Sequence, residues 1–97
     1  MYQLIFKPRA IQMQKDAYDW YELQKDGLGE LFLKELDENY DKLQSFPAAY
    51  GKREGNYRHI NLKKFPYVVV FKIIKTTVLV YAVFHTSRNP KDKLKGK

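Results

Sequence analysis

The chain has 97 residues, no cysteine and a net charge of +7, with 44% hydrophobic and 15% aromatic residues. That length makes one domain with a modest core, and so much aromatic content excludes a disordered chain. The lack of cysteine excludes disulfides and thiolate metal sites, and fits a reducing cytoplasm.

Residues 2–6 form a short apolar run that ends at Lys7-Pro8. Proline suits the first turn of a helix, so the pattern predicts a strand followed by a helix. Met13, Ala17, Trp20 and Tyr21 then recur at three- and four-residue steps up to about Lys25, marking the buried face of that helix. Nothing in these opening residues reads as a signal peptide. The longest unbroken apolar run, residues 78–84, falls far short of the roughly 18 residues of a membrane span. A soluble cytoplasmic protein is expected.

The Asp26-Gly27-Leu28-Gly29 stretch breaks the first helix, and a second begins. Its stripe is Leu28, Phe32, Leu36, Tyr40 and Leu43, and Pro47 ends it near Phe46. Glu30–Lys34 and Glu38–Lys42 are spaced as i,i+4 ion pairs. So tight a connection predicts an antiparallel helix hairpin. Residues 48–56 read as a glycine-containing loop that carries Lys52, Arg53 and Glu54.

Beyond the loop the period becomes two. Residues 57–62, 67–74 and 77–85 read as strands, with a turn around Lys75-Thr76 and a basic, mobile tail over 91–97. The expected architecture is α+β, in the order β-α-α-β-β-β. The helix hairpin packs on a mainly antiparallel four-stranded sheet, within one domain over residues 1–90.

Charge is split along the chain. Residues 1–50 hold six Lys/Arg against nine Asp/Glu, a net of −3. Residues 51–97 hold twelve against two, a net of +10. Such asymmetry points to a polyanionic partner, either nucleic acid or an acidic protein segment, or else serves solubility.

Three stretches together resemble the ParE/RelE superfamily, the toxins of bacterial type II toxin–antitoxin modules and plasmid stabilisation systems. The first is YDWYELQKDGLGELFLKELDENYDKLQSFP, residues 18–47, similar to that family's helix hairpin. The second is Arg58 followed by Phe65-Pro66-Tyr67, and the third is Ala82-Val83-Phe84-His85 with Arg88-Asn89-Pro90. The resemblance covers about residues 2–91 and is closer to the ParE-like branch. It implies a cytoplasmic toxin that needs no metal or organic cofactor, silenced by a cognate antitoxin whose binding segment is disordered when free. ParE-like members poison DNA gyrase, whereas RelE-like members cut mRNA in the ribosomal decoding site.

A nuclease of this kind must activate a 2′-OH, stabilise phosphate charge and protonate a leaving oxygen. The catalytic candidates for that reading are Arg58, Tyr67, His85 and Arg88. The chain departs from the RelE-like pattern in two places. Tyr67 stands where those enzymes commonly carry an arginine, and no tyrosine follows the last strand. The expected function is therefore gyrase inhibition without catalysis. Ribosome-dependent mRNA cleavage is the alternative, and a non-catalytic nucleic-acid-binding module is a further one.

The candidate target- or antitoxin-binding residues are Lys52, Arg53, Arg58, His85, Arg88 and Lys91. Each has a plainer reading. His85 can cap a sheet edge, and Arg58 can pair with Glu35 or Glu38. Tyr67 can pack in the sheet, and the loop and tail cations can simply be solvated. His59 reads as structural. Edge strands and exposed aromatics leave room for a homodimer as well as a toxin–antitoxin hetero-oligomer.

Overall fold

The structure, a computed structural model, describes residues 1–87. Strand β1 spans Gln3–Phe6, helix α1 Pro8–Gln24 and helix α2 Leu28–Ser45. A 3-10 turn over Pro47–Ala49 leads to β2 (Lys52–Glu54), β3 (Tyr57–Asn61), β4 (Tyr67–Ile74) and β5 (Thr77–His85). Pro8 occupies the start of α1 as expected, and α2 ends just before Pro47.

The strands form one sheet in the order β1-β5-β4-β3-β2. β1 runs parallel to β5, and every other pair is antiparallel. The sheet thus has five strands, not four. The extra strand is β2, which lies inside the expected 48–56 loop. It is only three residues long, all exposed, and so carries no alternation of apolar and polar residues. Its pairing with β3, Lys52 opposite Arg58 and Glu54 opposite Tyr57, is what makes it a strand. The hairpin turns at Gly55, whose φ of +58° lies in the left-handed region that glycine adopts without strain.

The helix hairpin covers one face of the sheet. Tyr21, Phe32, Leu36 and Leu43 from the helices meet Val69, Phe71, Val78, Val80 and Val83 from β4 and β5. Aromatic rings tie the layers at one end, with Tyr21 centred 4.8 Å from Phe65 and Phe32 5.0 Å from Tyr67. The expected core stripe of α2 holds. On α1, Ala17 and Tyr21 are buried, but Trp20 is 43% exposed. It lies one residue off the stripe and stands at the rim.

A bulge divides β5. Val70 pairs with Ala82 but Phe71 pairs with Val80, which leaves Tyr81 as the extra residue. Before the bulge, Val78 and Val80 face the helices. After it Val83 does, while Ala82 and Phe84 lie on the opposite face with Val68 and Val70. His85 consequently shares the helix-side face with its cross-strand partner Tyr67.

Two carboxylates join segments distant in sequence. Glu22 on α1 accepts the N–H groups of Gly27, Gly29 and Glu30 at 3.2, 2.7 and 3.2 Å, capping the start of α2. Glu35, 7% exposed, accepts the Lys63 N–H at 2.6 Å and the Lys64 N–H at 3.1 Å, which holds the turn before β4. Neither expected Glu–Lys pair on α2 closes to ion-pair distance among the described residues, where Lys15–Asp19 does at 2.9 Å.

Candidate functional site

The residues singled out from the sequence fall on both faces of the sheet. On the helix side, His85 and Tyr67 meet edge to face, with ring centroids 5.4 Å apart. Tyr67 is 5% exposed, enclosed by Tyr21, Phe32 and His85. His85 is half-buried, and its Nδ1 accepts the Ser87 N–H at 3.1 Å, which bends the chain as it leaves β5. Both rings line a cleft of about 300 Å³ whose other walls include Asp16 and Trp20 from α1. The cleft exists because β1 pairs only with the first half of β5, so α1 stands beside the second half.

Arg58 also points to the helix side, since its partner Phe71 is a core residue. Its Nη1 donates to the Tyr50 carbonyl at 2.6 Å, which ties the 3-10 turn to β3. The ion-pair partners suggested by the sequence are not used. Glu35 is taken by the Lys63 and Lys64 amides instead.

Lys52 and Arg53 lie on the exposed edge strand β2. Arg53 lines a shallow depression of about 220 Å³ with His59, Asn61, Val68 and Thr86, on the face away from the helices. The end of β5 therefore divides the two places, with His85 lining the cleft and Thr86 the depression. Arg88, Lys91 and the expected 91–97 tail lie outside the described residues.

Sequence reading missed a row of side chains across the sheet face turned away from the helices. Tyr57 on β3 and Tyr81 on β5 meet edge to face at 4.9 Å. The Lys72 ammonium on β4 lies 4.6 Å from the Tyr57 ring centre and 5.5 Å from that of Tyr81. Lys7, just after β1, stands 5.2 Å from the Tyr81 ring centre on the far side. Loss of water, and Tyr81 alongside, raise the Tyr57 phenol above its ordinary range. Alternation gives each strand two faces, and it is the pairing of Arg58 with Phe71 that sets Tyr57 and Lys72 on the same one. The bulge that brings Tyr81 to them has no local signature.

No group of three or more His, Asp or Glu residues forms a potential metal site among the described residues. No helix among them is long and apolar enough to cross a membrane.

A two-helix hairpin on one face of a sheet whose first strand joins in parallel is also the fold of known toxin–antitoxin toxins. The chain is similar to the chromosomal ParDE system of P. aeruginosa, with a TM-score of 0.76 and 16% identity over 88% of this chain and 96% of that one. It is also similar to the intact E. coli RelBE complex, with a TM-score of 0.69 and 22% identity over 91% of this chain and 100% of that one. The isolated E. coli RelE toxin gives 0.67 and 22%, over 88% and 84%. Comparison with curated protein sequences gives no match. The family model "ParE toxin of type II toxin-antitoxin system, parDE" matches residues 4–90. The chain belongs to this ParE toxin family.

Proposed function

We propose that this chain inhibits growth by binding DNA gyrase in the cytoplasm, without cleaving a substrate, and that a cognate antitoxin neutralises it. The observation that carries this reading is the match of residues 4–90 to ParE toxins. An antitoxin partner is supported by the P. aeruginosa and E. coli structures that the chain resembles, which are of toxin–antitoxin systems.

The state of the nuclease candidates supports a non-catalytic action. A general acid or base must reach the proton it transfers, directly or through one water. Tyr67 is only 5% exposed where it lines the cleft beside His85, and Arg58 spends one N–H on the Tyr50 carbonyl. Binding through the exposed Lys52 and Arg53 asks less of the geometry, since rim charges mainly steer and orient a partner.

Ribosome-dependent mRNA cleavage is the second reading, favoured by His85 lining a cleft together with Asp16. Purified chain added to gyrase and relaxed plasmid, with ATP, tests the first reading. Mapping mRNA 5′ ends after induction in a bacterial host tests the second. Loss of supercoiling with no new 5′ ends supports gyrase as the target. New ends inside translated codons move the chain to the nuclease reading, and growth arrest with neither effect refutes both.

A further inference from the structure

We propose that the cleft between α1 and the second half of β5 binds a small planar organic cation, a guanidinium compound, held by the Asp16 carboxylate among the rings of Trp20, Tyr67 and His85. Its volume of about 300 Å³ is at the low end of small-ligand sites. Met13, Asp16 and Trp20 recur at three- and four-residue steps, so they form one wall along a single face of α1. Tyr67 and His85, cross-strand partners on β4 and β5, belong to the other wall.

The charge of the walls selects a cation. Asp16 is exposed, and the Gln12 Nε2 donates to its Oδ1 at 2.8 Å. That contact orients the carboxylate without neutralising it. Among the described residues no lysine or arginine comes within ion-pair distance of it. His85 adds no positive charge. Its Nδ1 accepts the Ser87 N–H, and an imidazole nitrogen that accepts carries no proton. The rings contribute the negative potential of their π faces. Trp20 meets Tyr21 edge to face at 5.1 Å, and Tyr67 meets His85 in the same way at 5.4 Å, so each ring is steadied by another. A phosphate would meet Asp16 with like charge.

The backbone favours a planar cation with many donors over a compact ammonium. The Thr86 N–H donates to the Pro66 carbonyl at 2.8 Å, which in antiparallel pairing turns the carbonyls of Val83 and His85 to the opposite edge of β5. β1 pairs only as far as Val80, so this edge faces the cleft. A guanidinium can meet a carboxylate with two parallel N–H donors, offer others to a carbonyl and stack on an aromatic face. It is also more weakly hydrated than an ammonium, which suits a cleft backed by the buried Tyr67 and Val83. The site does not rest on whether gyrase or the ribosome is the target.

Trp20 is the one tryptophan of the chain, so tryptophan fluorescence reports on this cleft. The test titrates the full chain with butylguanidinium, with butylammonium, and with butylurea as the uncharged planar counterpart. A saturable change in Trp20 emission at millimolar concentration is expected with butylguanidinium and none with butylurea. Asp16→Asn should weaken binding about tenfold, because charge-assisted bonds are lost. Asp19→Asn removes the same charge from outside the cleft, and should leave the affinity within about twofold. No saturable change, an equal response to butylurea, or tighter binding of butylammonium overturns the proposal. Equal weakening by Asp16→Asn and Asp19→Asn also overturns it, since only the general field of α1 would then be felt. So does binding that tightens on Arg88→Ala, which would make the chain's own arginine, three residues after His85, the occupant.

Discussion

Glu22 and Gly29 determine each other. The Gly29 N–H donates to Glu22 Oε2 at 2.7 Å, and a Cβ built on Gly29 would come within 2.7 Å of Glu22 Cγ and 2.8 Å of the Tyr18 carbonyl oxygen. The helices can approach this closely only without a side chain at position 29, and the approach brings the carboxylate over the amides of α2. Tyr21-Glu22 at the end of α1 and Gly27-Leu28-Gly29 at the start of α2 are thus two halves of one joint. Tyr21 supplies its ring to the core and Glu22 supplies the cap.

Breaking either half should loosen the hairpin. Glu22→Ala leaves amide donors at the start of α2 without their acceptor, at a cost of about 1–2 kcal/mol. Gly29→Ala forces the added methyl against backbone and costs about 1–3 kcal/mol. Urea unfolding of the variants measures both. Because the residues touch, the double variant should fall short of the sum of the two losses.

Glu35 performs the same task at the turn before β4. Glu35→Ala strands the Lys63 and Lys64 amides, and a loss of about 2–3 kcal/mol is expected. Hydrogen exchange at these two amides should accelerate more than exchange in the centre of β4. Equal acceleration throughout would show a global loss only.

Lys75 adopts φ +55° in the turn between β4 and β5, a conformation costly for a residue with a Cβ. Lys75→Gly should therefore raise stability by a few tenths to about 1 kcal/mol, visible as a higher denaturation midpoint with unchanged slope. An unchanged or lower midpoint would mean that the lysine makes compensating contacts.

Tyr40 is buried at 6% exposure, and its hydroxyl donates to Gln14 Oε1 at 2.7 Å. Burial, with the Asp37 carboxylate adding to it, pushes this phenol well above its ordinary value near 10. The folded state thus holds the proton more tightly than the unfolded chain. The associated stability is complete below about pH 10 and is lost as pH rises toward the folded value. Tyr40→Phe should cost about 1 kcal/mol at neutral pH. It should also flatten the alkaline fall in stability, measured as the wild-type-minus-variant difference between neutral pH and pH 11. A constant difference would place the alkaline sensitivity elsewhere.

Arg53 and Arg58 should separate binding from folding. Arg58→Ala removes the tie to the Tyr50 carbonyl and should lower stability by about 1–3 kcal/mol, since the donor is charged. Arg53→Glu lies on an exposed edge strand and should change stability by less than about 0.5 kcal/mol. If β2 meets the target or the antitoxin, growth arrest or antitoxin affinity falls for Arg53→Glu while the fold is kept. Unchanged toxicity and unchanged affinity would remove β2 from both surfaces.

Much of this was legible along the chain. The α2 stripe of Phe32, Leu36, Tyr40 and Leu43, the proline boundaries, the strands from residue 57 onward and the +10 half are each determined within a few residues of one another. Local steric limits and side-chain periodicity act at that range. The tertiary structure alone decided the rest. β2 is a strand only through its pairing with β3. Tyr81 reaches Tyr57 only because a bulge in β5 resets the alternation. Trp20 stands at a rim because of where α1 crosses the sheet. Arg58, Glu22 and Glu35 take backbone partners 5 to 29 residues away. Partners at that separation are selected by the packing of the whole domain, and no local pattern in the sequence encodes them.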